Sequence, residues 1–192
     1  MGRKRTIDRN AILDAAEAVV TEKGAGSLSF DEVARRSGVS KGGVLYCFPS
    51  KVALIAAMAS RDLDRFERDV AAHRGMTGDT RAADLLAYLA ATRHESGSLA
   101  AKAASLLAAL VEAPEHAEPI RDYYRRQTRQ IEDGAPDRGA ARVAFFAAEG
   151  AFLLRGLGLV DMDEAEWSAL FDDLDALGSG TADRVTSVNE TS

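Results

Sequence analysis

"SKGGVLYCFPSK", residues 40–51, sets two glycines side by side inside what otherwise reads as a helix, with a Tyr and a Phe after them and a Lys near each end. Glycine costs a helix interior about 1 kcal/mol relative to Ala. Two in succession, in a basic and aromatic setting, need a reason. Upstream lies "LSFDEVARRSG", residues 28–38. There Ser29 and Glu32 have the spacing of a capping box, and Leu28 and Val33 that of a hydrophobic staple. The pattern predicts a short helix from about Phe30 to Ser37, closed by Gly38. A second short helix follows, N-capped by Ser40, from Lys41 to about Cys47. Pro49 and Ser50 then start a longer helix, from Lys51 to about His73. Two short helices joined by a tight glycine turn form a helix-turn-helix candidate. Ala34 is small enough for the helix crossing, Gly38 tolerates a positive φ in the turn, and Val33, Val39 and Val44 are placed to face inward.

In such a unit the second helix lies against DNA. Gly42 and Gly43 would let the backbone approach the major groove or a phosphate closely. Lys41 and Lys51 supply charge near phosphates. Tyr46 offers a hydroxyl to a phosphate or a ring to a thymine methyl. Ser29, Ser40 and Lys51 stand at helix N-termini, which favour a phosphate. Arg3, Lys4 and Arg5, in "GRKR" at 2–5, have the character of an arm that tracks the backbone or the minor groove. The plain alternatives are that the glycines mark a loop and the lysines are solvated. Phe48 and Cys47 read as core residues.

Outward from this unit the chain reads as helix after helix. Ile12, Ala15, Ala16, Val19 and Val20 share one helical face over about 8–23, with Gly24 as the stop. Further helices are expected at about 79–93, 98–112, 115–132, 137–157 and 163–177, with Pro114, Pro119 and Pro136 near helix starts. No run alternates as a strand. The expected class is all-α with about nine helices. The polar tail "GSGTADRVTSVNETS", 178–192, reads as disordered. Composition fits a globular chain, with 46% hydrophobic and 28% charged residues among 192. One Cys excludes an internal disulfide. No apolar run reaches the roughly 20 residues that span a bilayer, and the basic N-terminus is not followed by a signal-type apolar segment. The expectation is a cytoplasmic protein with no membrane partner. Net charge is −6, but its distribution is uneven. Residues 1–51 hold nine Lys or Arg against six Asp or Glu, and residues 52–192 hold fifteen against twenty-four. A small module that meets a polyanion is joined to an acidic body that does not.

The stretches "ILDAAEAVVTEKG" and "LSFDEVARRSGVSKGGVLYCFPSKVAL" resemble the N-terminal DNA-binding domain of the TetR family of bacterial transcriptional repressors, over about residues 5–60. The "GVSKG…LYxFxSK" core, here Gly38 to Gly42, Leu45, Tyr46, Phe48, Ser50 and Lys51, carries the likeness. The resemblance implies that Ser40 to Tyr46 form the recognition helix and that Tyr46 and Lys51 grip phosphates. Many members have a Thr where this chain has Gly43, and often a His where it has Cys47. The absent Thr hydroxyl removes one DNA contact, so no operator is predicted. The resemblance also implies that residues 61–178 form a helical domain that dimerises and holds a small-molecule effector, with 179–192 as a disordered tail.

The residues of the acidic half bear on this in part. Ala140, Ala144, Ala147, Ala148 and Ala151 make a smooth helical face, and Trp167, Leu170, Phe171, Leu174 and Leu177 form a stripe at helical spacing. Paired across two subunits, these two helices would build a four-helix dimer interface; alternatively they fill the subunit's own core. Glu149 is the charged residue in an apolar run from Val143 to Leu154, either a ligand-orienting group or a paired structural acid. Tyr88, Thr92, His94, Tyr124 and Phe146 are candidate pocket-lining residues, with core packing as the alternative for the aromatics. His73, His94 and His116 show no metal-ligand spacing with Cys47. No catalytic or nucleotide-binding motif is present, so neither an enzyme nor a cofactor is expected. The partners expected are double-stranded DNA, a second copy of the chain and a small-molecule effector. A protein-interaction module with a repurposed helix-turn-helix is the other reading, and an all-helical enzyme a remoter one.

Overall fold

The structure, a computed structural model, describes residues 7–78 and 82–180. Arg3, Lys4, Arg5 and the tail from 181 onward lie outside the described residues. Among those described there are nine α-helices, two short 3-10 turns and no strand: α1 Arg9–Lys23, α2 Phe30–Ser37, α3 Lys41–Cys47, α4 Lys51–Met76, α5 Ala83–His94, α6 Gly97–Val111, α7 Glu118–Gly134, α8 Arg138–Gly156 and α9 Glu164–Ser179. No single helix among them is long and apolar enough to cross a membrane.

Local chemistry explains most of the boundaries. Seven of the nine helices begin at a Ser or Asp whose side chain accepts a hydrogen bond from the first turn: Asp8, Ser29, Ser40, Ser50, Ser96, Asp137 and Asp163. These caps satisfy N–H groups that the helix itself leaves orphaned. Gly38 and Gly180 close α2 and α9 in the left-handed conformation. Three starts and stops differ from expectation. Glu32 does not complete a capping box with Ser29, because its carboxylate is taken by Arg35 and Arg36. The full box forms at α9, between Asp163 and Glu166. Gly178 and Ser179, expected in the tail, belong to α9. A Cβ on Gly178 would sit 2.3 Å from Leu85 Cδ2, so the glycine is where α9 meets α5.

Two apolar clusters make the interior. The first joins Ile12, Ala16 and Val19 of α1 to Val33, Val44, Phe48 and the α4 residues Leu54, Ile55 and Met58. It does not close on itself: Leu106 and Leu110 of α6 and Ile120 of α7 complete it. The second joins Leu85, Tyr88 and Leu89 of α5 to Ile131 of α7, Ala141, Ala144, Phe145 and Ala148 of α8, and Trp167, Phe171 and Leu174 of α9. Phe66 and Val70 of α4 pack on it from the side, so α4 touches both clusters.

The second cluster corrects part of the expected dimer interface. Ala144, Ala148, Trp167, Phe171 and Leu174 are buried within the chain itself. Their side chains hold α8 and α9 onto α5, and no partner could reach them. The Trp167 indole also donates to the Arg93 carbonyl at 3.0 Å, and the Arg155 guanidinium lies over its ring. Ala140, Ala151 and Leu170 are half-buried, and Ala147 is exposed.

The crossing of α6 and α8 is set by Gly156. A Cβ there would fall 2.3 Å from the Ala100 carbonyl oxygen and 2.6 Å from its carbon. Backbone cannot yield as a flexible side chain can. Gly156→Ala is therefore expected to destabilise the protein by about 1–3 kcal/mol, read as a lowered midpoint in chemical denaturation; an unchanged midpoint would show that the helices can separate freely.

Candidate nucleic-acid interface and internal cavity

The helix-turn-helix forms as its side chains dictate. Val33 and Val44 are fully buried, while Ala34 and Val39 pack at the edge of the same cluster. Gly38 has φ 69° and its N–H donates to the Ala34 carbonyl at 3.1 Å. Phe48 is buried, with the Arg9 guanidinium 4.7 Å from its ring centre. Around α2, Arg36 joins Glu22 on α1 to Glu32. The Arg35 and Arg36 hydrogen bonds hold the Glu32 carboxyl down at about 2, below the usual carboxylate range.

These constraints aim α3 outward. Lys41, Gly42, Leu45 and Tyr46 lie on its exposed side, and Tyr46 is 85% exposed. So large an aromatic in water gains nothing from the fold. Leu45, adjacent on the same side, carries the family likeness but is not among the expected DNA contacts. Its spacing from Lys41 and Gly42 was the available signal. The two glycines turn out to have different tasks. Nothing lies within 4 Å of a Cβ built on Gly42, which leaves a smooth, open patch of backbone. Gly43 is buried, and a Cβ there would meet Val39 Cγ1 at 2.8 Å, Ser40 Oγ at 3.3 Å and Ile7 Cδ1 at 3.4 Å. Gly43 is thus corrected from a DNA-facing residue to a packing residue.

Ser29 and Ser40 are exposed N-caps whose hydroxyls already accept from Glu32 N–H and Gly43 N–H. Lys41 pairs with Asp31 at 3.0 Å, an exposed contact of little worth that a phosphate can replace. The Lys51 ammonium donates to the Gly26 carbonyl at 2.8 Å and is held near the N-terminus of α4.

The other site is internal. A cavity of about 80 Å³ lies between α4, α5, α6, α7 and α8. Of the six residues expected to line a pocket, it brings four together: Tyr88, Thr92, Tyr124 and Glu149. The Tyr88 hydroxyl donates to Glu149 Oε1 at 2.5 Å and the Tyr124 hydroxyl donates to Oε2 at 2.7 Å. Thr92 donates to the Tyr88 carbonyl. Removal from water pushes the Glu149 carboxyl up, against the downward pull of the two hydroxyls. Burial and the neighbouring Glu149 charge push the Tyr88 and Tyr124 phenols up as well.

Two expected lining residues are corrected. His94 is exposed, its ring nitrogen Nδ1 2.6 Å from the Ala90 carbonyl, and it does not reach the cavity. Phe146 is 56% exposed on the outer side of α8 and borders a separate open groove with α6 and α7. Packing turns the Val143, Phe146 and Ala147 side of α8 outward, and Phe146 goes with it. In exchange the cavity recruits charges the sequence reading passed over: Asp62 and Arg65 from α4, Glu95, and Lys102 from α6. Asp62 sits within the stripe Ala59, Leu63 and Phe66, which was the missed signal.

The glycine assignments are testable together. Gly42→Ala should raise stability by about 0.5–1 kcal/mol yet weaken DNA binding, because the new methyl stands on the open face. Gly43→Ala should lower stability by about 1–3 kcal/mol. Thermal melts and a DNA-binding isotherm for each variant check this; equal behaviour of the two would refute the division.

Two family models match the chain: bacterial regulatory proteins of the tetR family over residues 12–58, and the tetracyclin repressor-like C-terminal domain over residues 83–178. No match was found among curated proteins. Many solved structures share the fold. A TetR-like transcriptional regulator from Rhodococcus sp. RHA1 is 21% identical, with 94% of this chain and 99% of that one covered and a TM-score of 0.66. A TetR-family member from Streptomyces coelicolor A3 is 23% identical over 88% of this chain and 96% of that one, with a TM-score of 0.67. The multidrug binding protein EbrR, solved with ethidium, is 24% identical over 88% and 96%, with a TM-score of 0.68. With its exposed α3, its cavity between the helices and both halves of the family pattern present, this chain belongs to the TetR family of bacterial regulatory proteins.

Proposed function

We propose that the protein is a cytoplasmic, homodimeric repressor of transcription that leaves a near-palindromic operator when a small molecule enters the cavity. In this reading residues 5–60 bind DNA and residues 61–178 dimerise and receive the effector. One observation carries it. The helix α4 starts beside α3, at Ser50 and Lys51, and supplies Ala59, Asp62, Leu63, Arg65 and Phe66 to the cavity wall. A helix of 26 residues is about 39 Å long. Widening the cavity at this wall would move the helix, and α3 with it. Ion pairs tie the same region to its neighbours: Arg61 to Asp14 and Glu17 on α1, and Asp62 to Lys102 on α6. EbrR, of the same fold, is described as multidrug binding and was solved with ethidium and with malachite green. That supports a cavity which opens for a ligand.

DNA recognition in this reading uses Tyr46, Lys41, Lys51, the open backbone at Gly42, and the N-termini at Ser29 and Ser40. Arg3, Lys4 and Arg5 add a basic arm. A two-fold dimer would set its α3 helices about one turn of DNA apart, roughly 34–36 Å. Selection from randomised duplex DNA is expected to enrich an inverted repeat, with Tyr46→Ala and Lys51→Ala each weakening binding about ten-fold or more. Folded protein that enriches no sequence at low salt would favour the protein-interaction reading instead.

The partner surface we infer is the outer side of α8. Val143, Phe146, Ala147, Leu154 and Leu157 are exposed there at helical spacing, beside Gly150, where no atom lies near. Ala140, Ala151 and Leu170 flank it. Val143→Asp should give a folded monomer in sedimentation and abolish operator binding, because a buried unpaired charge is intolerable in such a contact. A Val143→Asp dimer as tight as the parent would place the interface elsewhere.

A further inference from the structure

Five charged side chains line the internal cavity, and they do not cancel. Arg65 grips Glu95 through two N–H groups, at 2.9 and 3.2 Å. Lys102 donates to Asp62 Oδ1 at 2.7 Å. Both cations are thereby committed. Among the described residues Glu149 has no cation beside it; its partners are the hydroxyls of Tyr88 and Tyr124. A second acceptor is also unused, since Asp62 Oδ2 is buried without a hydrogen-bond partner among the described residues. Three acids thus face two bases, in a wall otherwise built mainly of apolar and aromatic groups such as Phe66 and Phe152, with the Tyr123 hydroxyl, also buried without a partner among the described residues, beside them.

Each ligand class meets this wall differently. An anion would meet an uncompensated carboxyl, and Arg65 and Lys102 could serve it only by abandoning Glu95 and Asp62 inside the protein. A neutral apolar molecule would leave Glu149 and Asp62 Oδ2 as they are. A protonated amine would supply the missing charge and N–H donors, and the ring faces would attract it further. We propose that the effector of this cavity is an organic monocation, an ammonium group on an apolar or aromatic body, with Glu149 as its counter-charge and Asp62 Oδ2 as a further acceptor. This rests on the reading of the cavity as an effector site. The present volume, about 80 Å³, is below the roughly 150 Å³ that admits a benzene ring. The ligand therefore enters by displacing the wall, which includes α4.

Three probes of one shape separate the classes: phenethylammonium, 2-phenylethanol and 3-phenylpropanoate, titrated calorimetrically into the full chain. The ammonium is expected to bind about ten-fold or more tighter than either of the others. Glu149→Gln should weaken it about 30-fold or more and leave the alcohol unchanged. Tyr124→Phe removes a donor that competes for Glu149, so the ammonium should bind as tightly or tighter; this variant keeps the test alive should Glu149→Gln not fold. The proposal is overturned if the alcohol or the carboxylate binds as well as the ammonium, if folded Glu149→Gln binds it unchanged, or if none of the three binds. Operator affinity, measured separately with each probe, distinguishes the two readings. Release by the alcohol or carboxylate alone keeps an effector site and rejects the cation. Glu149-dependent cation binding without any change in operator affinity keeps the cation and rejects the effector role.

Discussion

The continuity of α4 is the constraint on which the rest depends. It carries no proline, and its one glycine, Gly75, stands near its end. Its first half packs Leu54, Ile55 and Met58 into the core under the helix-turn-helix, and its second half lays Phe66 and Val70 on the core of the other helices. Neither core is complete without it. The first also borrows Leu106, Leu110 and Ile120 from later in the chain. The expected boundary near residue 60 therefore does not divide the two hydrophobic cores. Close-packed interiors transmit displacement rather than absorb it, and on the function proposed this is what would carry a change at the cavity wall to the seat of α3.

The charged groups follow the same geometry. Buried charges are costly unless paired, and here they sit along the seam between the two cores. Arg61 spans to Asp14 and Glu17 on α1, while Lys102 reaches Asp62 and approaches Glu17 at 3.9 Å. Each is a connection between a helix of the DNA-binding half and one that bounds the cavity. Their worth lies in fixing relative position more than in stability, since exchange for apolar residues of similar volume often stabilises a protein.

Much of the local structure was legible because its causes are local. A Ser or Asp before an apolar period caps a helix wherever that helix goes, and seven of nine starts obeyed it. The left-handed Gly38 and the inward Val33 and Val44 depend on neighbours a few residues away. Glu149 was readable as an acid stranded in an apolar run; its pairing with Tyr88 and Tyr124 was not, because they come from α5 and α7. The start of α5 was not: Ala82 adopts φ 71° with its N–H bonded to the Gly134 carbonyl, a partner from α7.

Helical periodicity told which residues share a face, and hence the all-α class and the helix-turn-helix. It could not tell which face meets which neighbour. In α8 the row Ala141, Ala144, Phe145 and Ala148 and the row Val143, Phe146 and Ala147 are both apolar, and a rotation of about 100° per residue exchanges them. Only packing against α5 and α9 chose the first row for the interior and left the second exposed. The glycine pair was divided in the same way, Gly43 inward and Gly42 outward. The cavity's charge balance was also decided there, because Asp62, Glu95, Lys102 and Glu149 come from separate parts of the chain, and only the tertiary fold sets their distances.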